Sequence, residues 1–197
     1  MIGDSGIANY LLNRDSKVGV DHFAVAFTYG IAGMIGIAAS FPISGQSFLY
    51  EIHNNIDIAF YYVSGAHLNP AVSLGFAVTG RFPLRKIPHY FLGQYLGSFL
   101  AAATVFLVYY DGINTYGNGV RAAYFDGNIT NINATGGIFS TYPAGHITII
   151  ETLVDQIIAT FSLALGALII TGPHAQLPAH LHPFMLGMLI CGLVIWN

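Results

Sequence analysis

Residues 22–43 contain no Lys, Arg, Asp or Glu, and neither do residues 89–110. At a helical rise of ~1.5 Å per residue, runs of this length cross a hydrocarbon core ~30 Å thick. A third apolar run covers 147–171, and a fourth starts near Pro183 and stops at Asn197, short for a full crossing. Only 8% of the 197 residues are charged and 54% are hydrophobic. That is too little charge to solvate the surface of a soluble domain, so the bilayer is the expected solvent. With a net charge of −3, nothing points to a nucleic-acid partner, and none is expected. Cys191 is the single cysteine, which rules out an intrachain disulfide and reads as a buried thiol. The first ten residues have neither a basic start nor an apolar core, so insertion is expected to use the first span itself.

Small residues recur every four positions on two spans, Ala32-Gly36-Ser40 and Gly93-Gly97-Ala101, which predicts close helix packing in lipid. Arg81, Arg85 and Lys86 precede the second span, whereas residues 111–146 hold only Arg121. The positive-inside rule puts the Arg81 side in the cytoplasm and the long connection outside. Two glycosylation patterns, at Asn128 and Asn133, fall on that outer connection.

The informative segment is Ser64-Gly65-Ala66-His67-Leu68-Asn69-Pro70-Ala71-Val72-Ser73. Asn69 suits a helix N-cap and Pro70 the first helical turn. The helix is expected to run to Thr79 and stop at Gly80. At ~15 Å it reaches only halfway through the hydrocarbon, and Arg81 follows at once, so the segment must enter and leave on one side. Non-helical backbone at that depth is tolerated only where it is buried or lines a wet path. An extended stretch 65–68 would then offer the carbonyls of Gly65, Ala66 and His67 to a passing solute, and the Asn69 amide would donate to it. The electropositive end of the half-helix would oppose cations.

This string resembles the first signature loop of the major intrinsic proteins, the aquaporin family. Further segments resemble its aquaglyceroporin branch: residues 90–97 the third helix, Tyr109-Tyr110-Asp111 its end, 137–143 the external loop, and Asp155-Gln156 with Thr160 the start of the fourth helix. Residues 3–13 resemble the loop before the second helix. The resemblance implies that Asn69, Pro70 and Ala71 take the signature positions, with Leu68 beside them. It puts Tyr29 at the narrow filter and Gln156 where a buried residue supports the loop. It also implies passage of water, glycerol and other small neutral solutes, a tetramer, and a plasma-membrane location.

Two departures from the family pattern stand out. The expected match runs from the loop before the second helix into the fifth, without a first span, a second Asn-Pro-Ala loop or a sixth span. In family members the second helix runs straight into Ser-Gly-Ala-His, whereas here 46–63 are added, with Glu51 and Asp57 among them. Each carboxylate would cost roughly 2.5–3.5 kcal/mol at the bilayer centre, so this insertion is expected to loop into the cytoplasm.

The expectation is thus a single, incomplete domain over 1–197: an all-α, aquaporin-like membrane bundle of about four spans and one re-entrant half-helix. Its function is expected to be a passive channel, the alternative being a non-conducting form that assembles with full-length subunits and regulates them. Glu151 and Asp155 suit the start of a helix rather than acid–base chemistry. His174, His180 and His182 lack an accompanying Cys or carboxylate and read as a solvated loop. No enzyme, cofactor or metal is implied.

Overall fold

The computed structural model describes residues 1–13, 21–54, 66–121, 124–125, 128–129, 134–142, 147–172 and 174–196, with 41–54 as backbone only. The helices are α1 (Ile2–Leu12), α2 (His22–Asn54), α3 (Pro70–Val78), α4 (Ile87–Val108), α5 (Tyr110–Thr115), α6 (Ile149–Ile170) and α7 (His182–Trp196). A two-residue antiparallel pair, Tyr124–Phe125 with Asn128–Ile129, lies in the long connection between α5 and α6. Among the described residues, four stretches are long and apolar enough to cross a membrane: His22–Ser40, Leu84–Val108, Ile149–Ile170 and Ala179–Trp196. The helical class and the count of four agree with the sequence reading, and α3 is the half-length helix.

Two expectations are corrected. Residues 3–13, read as resembling a loop, form α1. It packs on α2 through two glycines: a Cβ at Gly3 would lie 2.6 Å from the Tyr29 ring, and one at Gly6 3.0 Å from Thr28. Without side chains at these positions, the α1 backbone comes down directly onto α2. Residues 46–54, expected to loop out, continue α2 as helix. No Pro or Gly interrupts 46–54, so an existing helix propagates at little cost. The 33-residue α2 is ~50 Å long, so it extends beyond a ~30 Å hydrocarbon layer. Residues 55–63 lie outside the described ones.

The main helix contact is α2 against α7. A Cβ at Gly30 would meet the Gly187 carbonyl at 2.9 Å and the Cys191 Cβ at 2.8 Å, so these backbones nearly touch. Cys191 is buried there, as its apolar setting suggested. The predicted stripes behave differently. Gly36 faces Leu68 rather than a neighbouring span, and a Cβ at Gly93 or Gly97 would meet nothing within 4 Å. Close packing therefore uses Gly30, Gly33 and Gly187, while the α4 stripe stays open.

One buried cluster joins Ile37 of α2, Val72 of α3, Ala167 of α6 and Leu186 of α7, which seats the half-helix among three spans. The other joins Ala8, Val105, Ile113 and Ile138, tying α1 and α4 to the outer connection. Leu96 and Phe99 of α4 and Ile157 and Phe161 of α6 are exposed, a surface suited to lipid.

Candidate functional site

Asn69 has extended backbone (φ −146°, ψ 132°) and caps α3. Its Oδ1 accepts from the amide of Ala71 at 2.7 Å and from that of Val72 at 3.4 Å. Two N–H donors converging on one side-chain atom identify it as the oxygen, so Nδ2 is left as a donor. Pro70 occupies the first helical position, where no amide is needed. At the other end Gly80 adopts φ +74°, Gly80 N–H donates to Ala77 O and Arg81 N–H to Phe76 O at 2.8 Å. This closed turn needs a left-handed residue, and glycine supplies it without strain.

The approach to Asn69 is not extended. Ala66 (φ +56°) and Leu68 (φ +51°) are both left-handed, on either side of His67. Each such non-glycine residue costs on the order of 1–3 kcal/mol and persists only where the surroundings over-determine it. His67 provides that constraint. It is buried, its ring centroid lies 4.8 Å from that of Phe76, 4.9 Å from Phe82 and 5.3 Å from Tyr90, and its Nδ1 is 3.1 Å from Ser73 Oγ. The Ser73 hydroxyl is fully buried, donates to Asn69 O at 3.2 Å and accepts from Gln94 Nε2 at 3.0 Å. A hydroxyl has one proton; with Asn69 O taking it, the His67 tautomer that completes the contact is the one protonated at Nδ1. The His67 side chain is thus an internal anchor that ties the loop to α3 and, through Ser73, to α4.

The other residues singled out in the sequence fall in several places. Ala66, Asn69, Pro70 and Ala71 are half-buried, and Leu68 is exposed. Leu68 borders a cavity of about 800 Å³ along the open face of α4, with Tyr90, Gln94 and Gly97. Tyr29 borders a second cavity of about 630 Å³ towards the outer connection, with His22, Phe139, Tyr142 and Thr160. Asn69 lines neither, and Asp4 lines both. The Tyr29 hydroxyl donates to Asp4 Oδ1 at 3.3 Å. Gln156 is half-buried on α6 without a hydrogen bond to a described residue. Gly65 and Asn133 lie outside the described residues, and Asn128 is described as strand backbone. Glu151 completes a capping box with Thr148 at the start of α6, in keeping with the helix-start reading.

Ser73, Gln94 and the aromatic cage were not singled out from the sequence. Gln94 carries the only side-chain amide in the charge-free run 89–110, a polar residue inside a span and therefore a signal that could have been read.

The family described as Major intrinsic protein matches residues 51–196. The chain belongs to this family. As a major intrinsic protein it is a multi-pass membrane protein and not an enzyme. It is 32% identical to Aquaporin-9 of Homo sapiens over 96% of this chain and 55% of that protein. It is 38% identical to Aquaporin-9 of Mus musculus over the same shares, and 39% identical to Aquaporin-7 of Rattus norvegicus over 66% of this chain and 46% of that one. The chain spans about half the length of these relatives. The aquaglyceroporin from Plasmodium falciparum shares the fold, with a TM-score of 0.70 over 98% of this chain and 65% of that one at 23% identity. The half-helix α3 and its loop, 66–80, lie inside the matched range.

Proposed function

We propose that this chain contributes to a passive transmembrane channel for water, glycerol and other small neutral solutes. The observation that carries the reading is the cap of α3. The Asn69 oxygen is held by its own helix, which leaves the Nδ2 amide as a donor at the electropositive end of a half-length helix. Ala66, His67 and Leu68 lead the backbone to this point, with Pro70 and Ala71 opening the helix behind it. Tyr29 narrows the outer approach, Gln156 is carried over from the family resemblance alone, with no hydrogen bond to a described loop residue, and Asn128 and Asn133 are the glycosylation positions. No reaction is needed: selectivity follows from diameter, lining donors and the helix end. A tetramer in the plasma membrane is the assembly and location that go with this reading.

The test is flux into proteoliposomes. Glycerol-dependent reswelling well above that of empty vesicles, lost in Asn69→Asp, supports the proposal. Reswelling equal to that of empty vesicles at high protein density refutes it for this chain, and altered flux on co-reconstitution with a full-length family member would then favour a regulatory subunit.

A further inference from the structure

We infer that Arg81 is a positioning residue: its guanidinium pins the cytoplasmic end of the half-helix α3 to the last turn of α6 and so sets where Asn69 stands in the bundle. The consequence for flux rests on the channel reading; the pinning does not.

The direction of Arg81 is set by the closed turn at Gly80, in which Arg81 N–H reaches back to Phe76 O. From there Nη1 donates to the carbonyl of Leu168 on α6 at 2.8 Å. Among the described residues, no backbone amide takes that carbonyl. Ala167 O accepts from the Thr171 amide and hydroxyl, and Gly172 N–H turns to Ile169 O instead of Leu168 O. An unpaired carbonyl at a helix C-terminus attracts a cation. Gly172 keeps that carbonyl open, since a Cβ there would lie 2.9 Å from Leu168 O and 3.4 Å from Arg81 Nη2. One turn deeper, Gly75 faces Ala164, with a Cβ-equivalent contact of 3.6 Å, so the two helices already run close together.

Besides its packing through Val72 and Gly75, the half-helix is therefore tied by side-chain hydrogen bonds at both ends. Its deep end is tied to α4 through Ser73 and Gln94, and its shallow end to α6 through Arg81. A helix of nine residues hinges readily when only one end is held, and tilting it moves Asn69 relative to α6. Arg81 thus does more than bias the topology: it completes the second attachment.

The experiment uses the full chain in liposomes, with nitroxide labels on Val78→Cys and Ile169→Cys, both exposed, and the buried Cys191 left in place. The label-to-label distance is measured with Arg81 intact, in Arg81→Ala, in Arg81→Lys, and in Gly172→Val, which keeps the guanidinium but crowds the Leu168 carbonyl that it bonds. Arg81→Ala and Gly172→Val are expected to broaden and lengthen the distance distribution, and Arg81→Lys to restore a narrow one. Glycerol permeability is expected to fall about two- to five-fold in the first two, the factor that goes with losing one cation at a helix C-terminus. Unchanged distances in both Arg81→Ala and Gly172→Val overturn the inference. Changed distances with unchanged flux also overturn a role in setting the pathway. If the unsubstituted chain passes no glycerol, the channel reading fails, and the label distances alone decide whether Arg81 pins the helix.

Discussion

Nδ1 of His67 lies 3.1 Å from the hydroxyl of Ser73, a buried link between two residues six positions apart. It closes the turn that carries the chain through two left-handed residues into the start of α3. The same hydroxyl accepts from Gln94, so one oxygen joins the loop, the half-helix and a span.

Replacing Ser73 with Ala should leave the buried His67 without that acceptor and free the half-buried Gln94 amide towards the cavity it borders. Each stranded buried polar group costs about 1–3 kcal/mol, so the melting temperature in detergent should drop measurably. Ser73→Thr should also destabilise, because Ser73 is 0% exposed and an added methyl has no free space. A melting temperature unchanged in Ser73→Ala would mean that water replaces the hydroxyl.

The two jobs of Asn69 are separable. Asn69→Ala removes the cap and should cost about 0.5–2 kcal/mol in a chemical or thermal melt. Asn69→Asp keeps an acceptor for the Ala71 amide, so the cap itself is retained. It removes the Nδ2 donor and adds negative charge, so glycerol flux should be lost. Equal flux in Asn69→Asp and the unsubstituted protein would show that Nδ2 meets no solute.

Glycines on different helices should respond in opposite directions. A Cβ at Gly187 would strike Met34 and come within 2.7 Å of the Gly30 carbonyl, so Gly187→Ala must push α2 and α7 apart. A loss of about 1–3 kcal/mol is expected. Gly93→Ala meets nothing within 4 Å and should be neutral or gain up to about 1 kcal/mol from helix propensity. Thermal melts of both variants check this. A destabilised Gly93→Ala would show that another surface covers the open face of α4 in the membrane.

Much of the site was legible because its chemistry is local. Asn69, Pro70 and Gly80 meet cap, first-turn and stop requirements that depend on backbone geometry over a few residues, and α3 begins at Pro70 as expected and ends at Val78, one residue before the expected Thr79. The extended form expected for 65–68 was not borne out at Ala66 and Leu68, because a buried imidazole held by Ser73 and three rings dictates the backbone there. No local propensity places Ala or Leu at positive φ.

The sequence alone determined that the chain is helical, that the bilayer is its solvent, and that one helix is half-length. These follow from charge-free runs, the position of Arg81 and the needs of helix ends, all read within one segment at a time. Tertiary structure decided which glycines touch, that α1 is a helix seated on Tyr29, and that the half-helix is held by Gln94 at one end and Leu168 at the other. Those contacts join residues far apart in the chain. Four-residue spacing shows that two helices can approach closely but does not name the partner, so only the assembled bundle selects Gly187 for Gly30 and leaves Gly93 open.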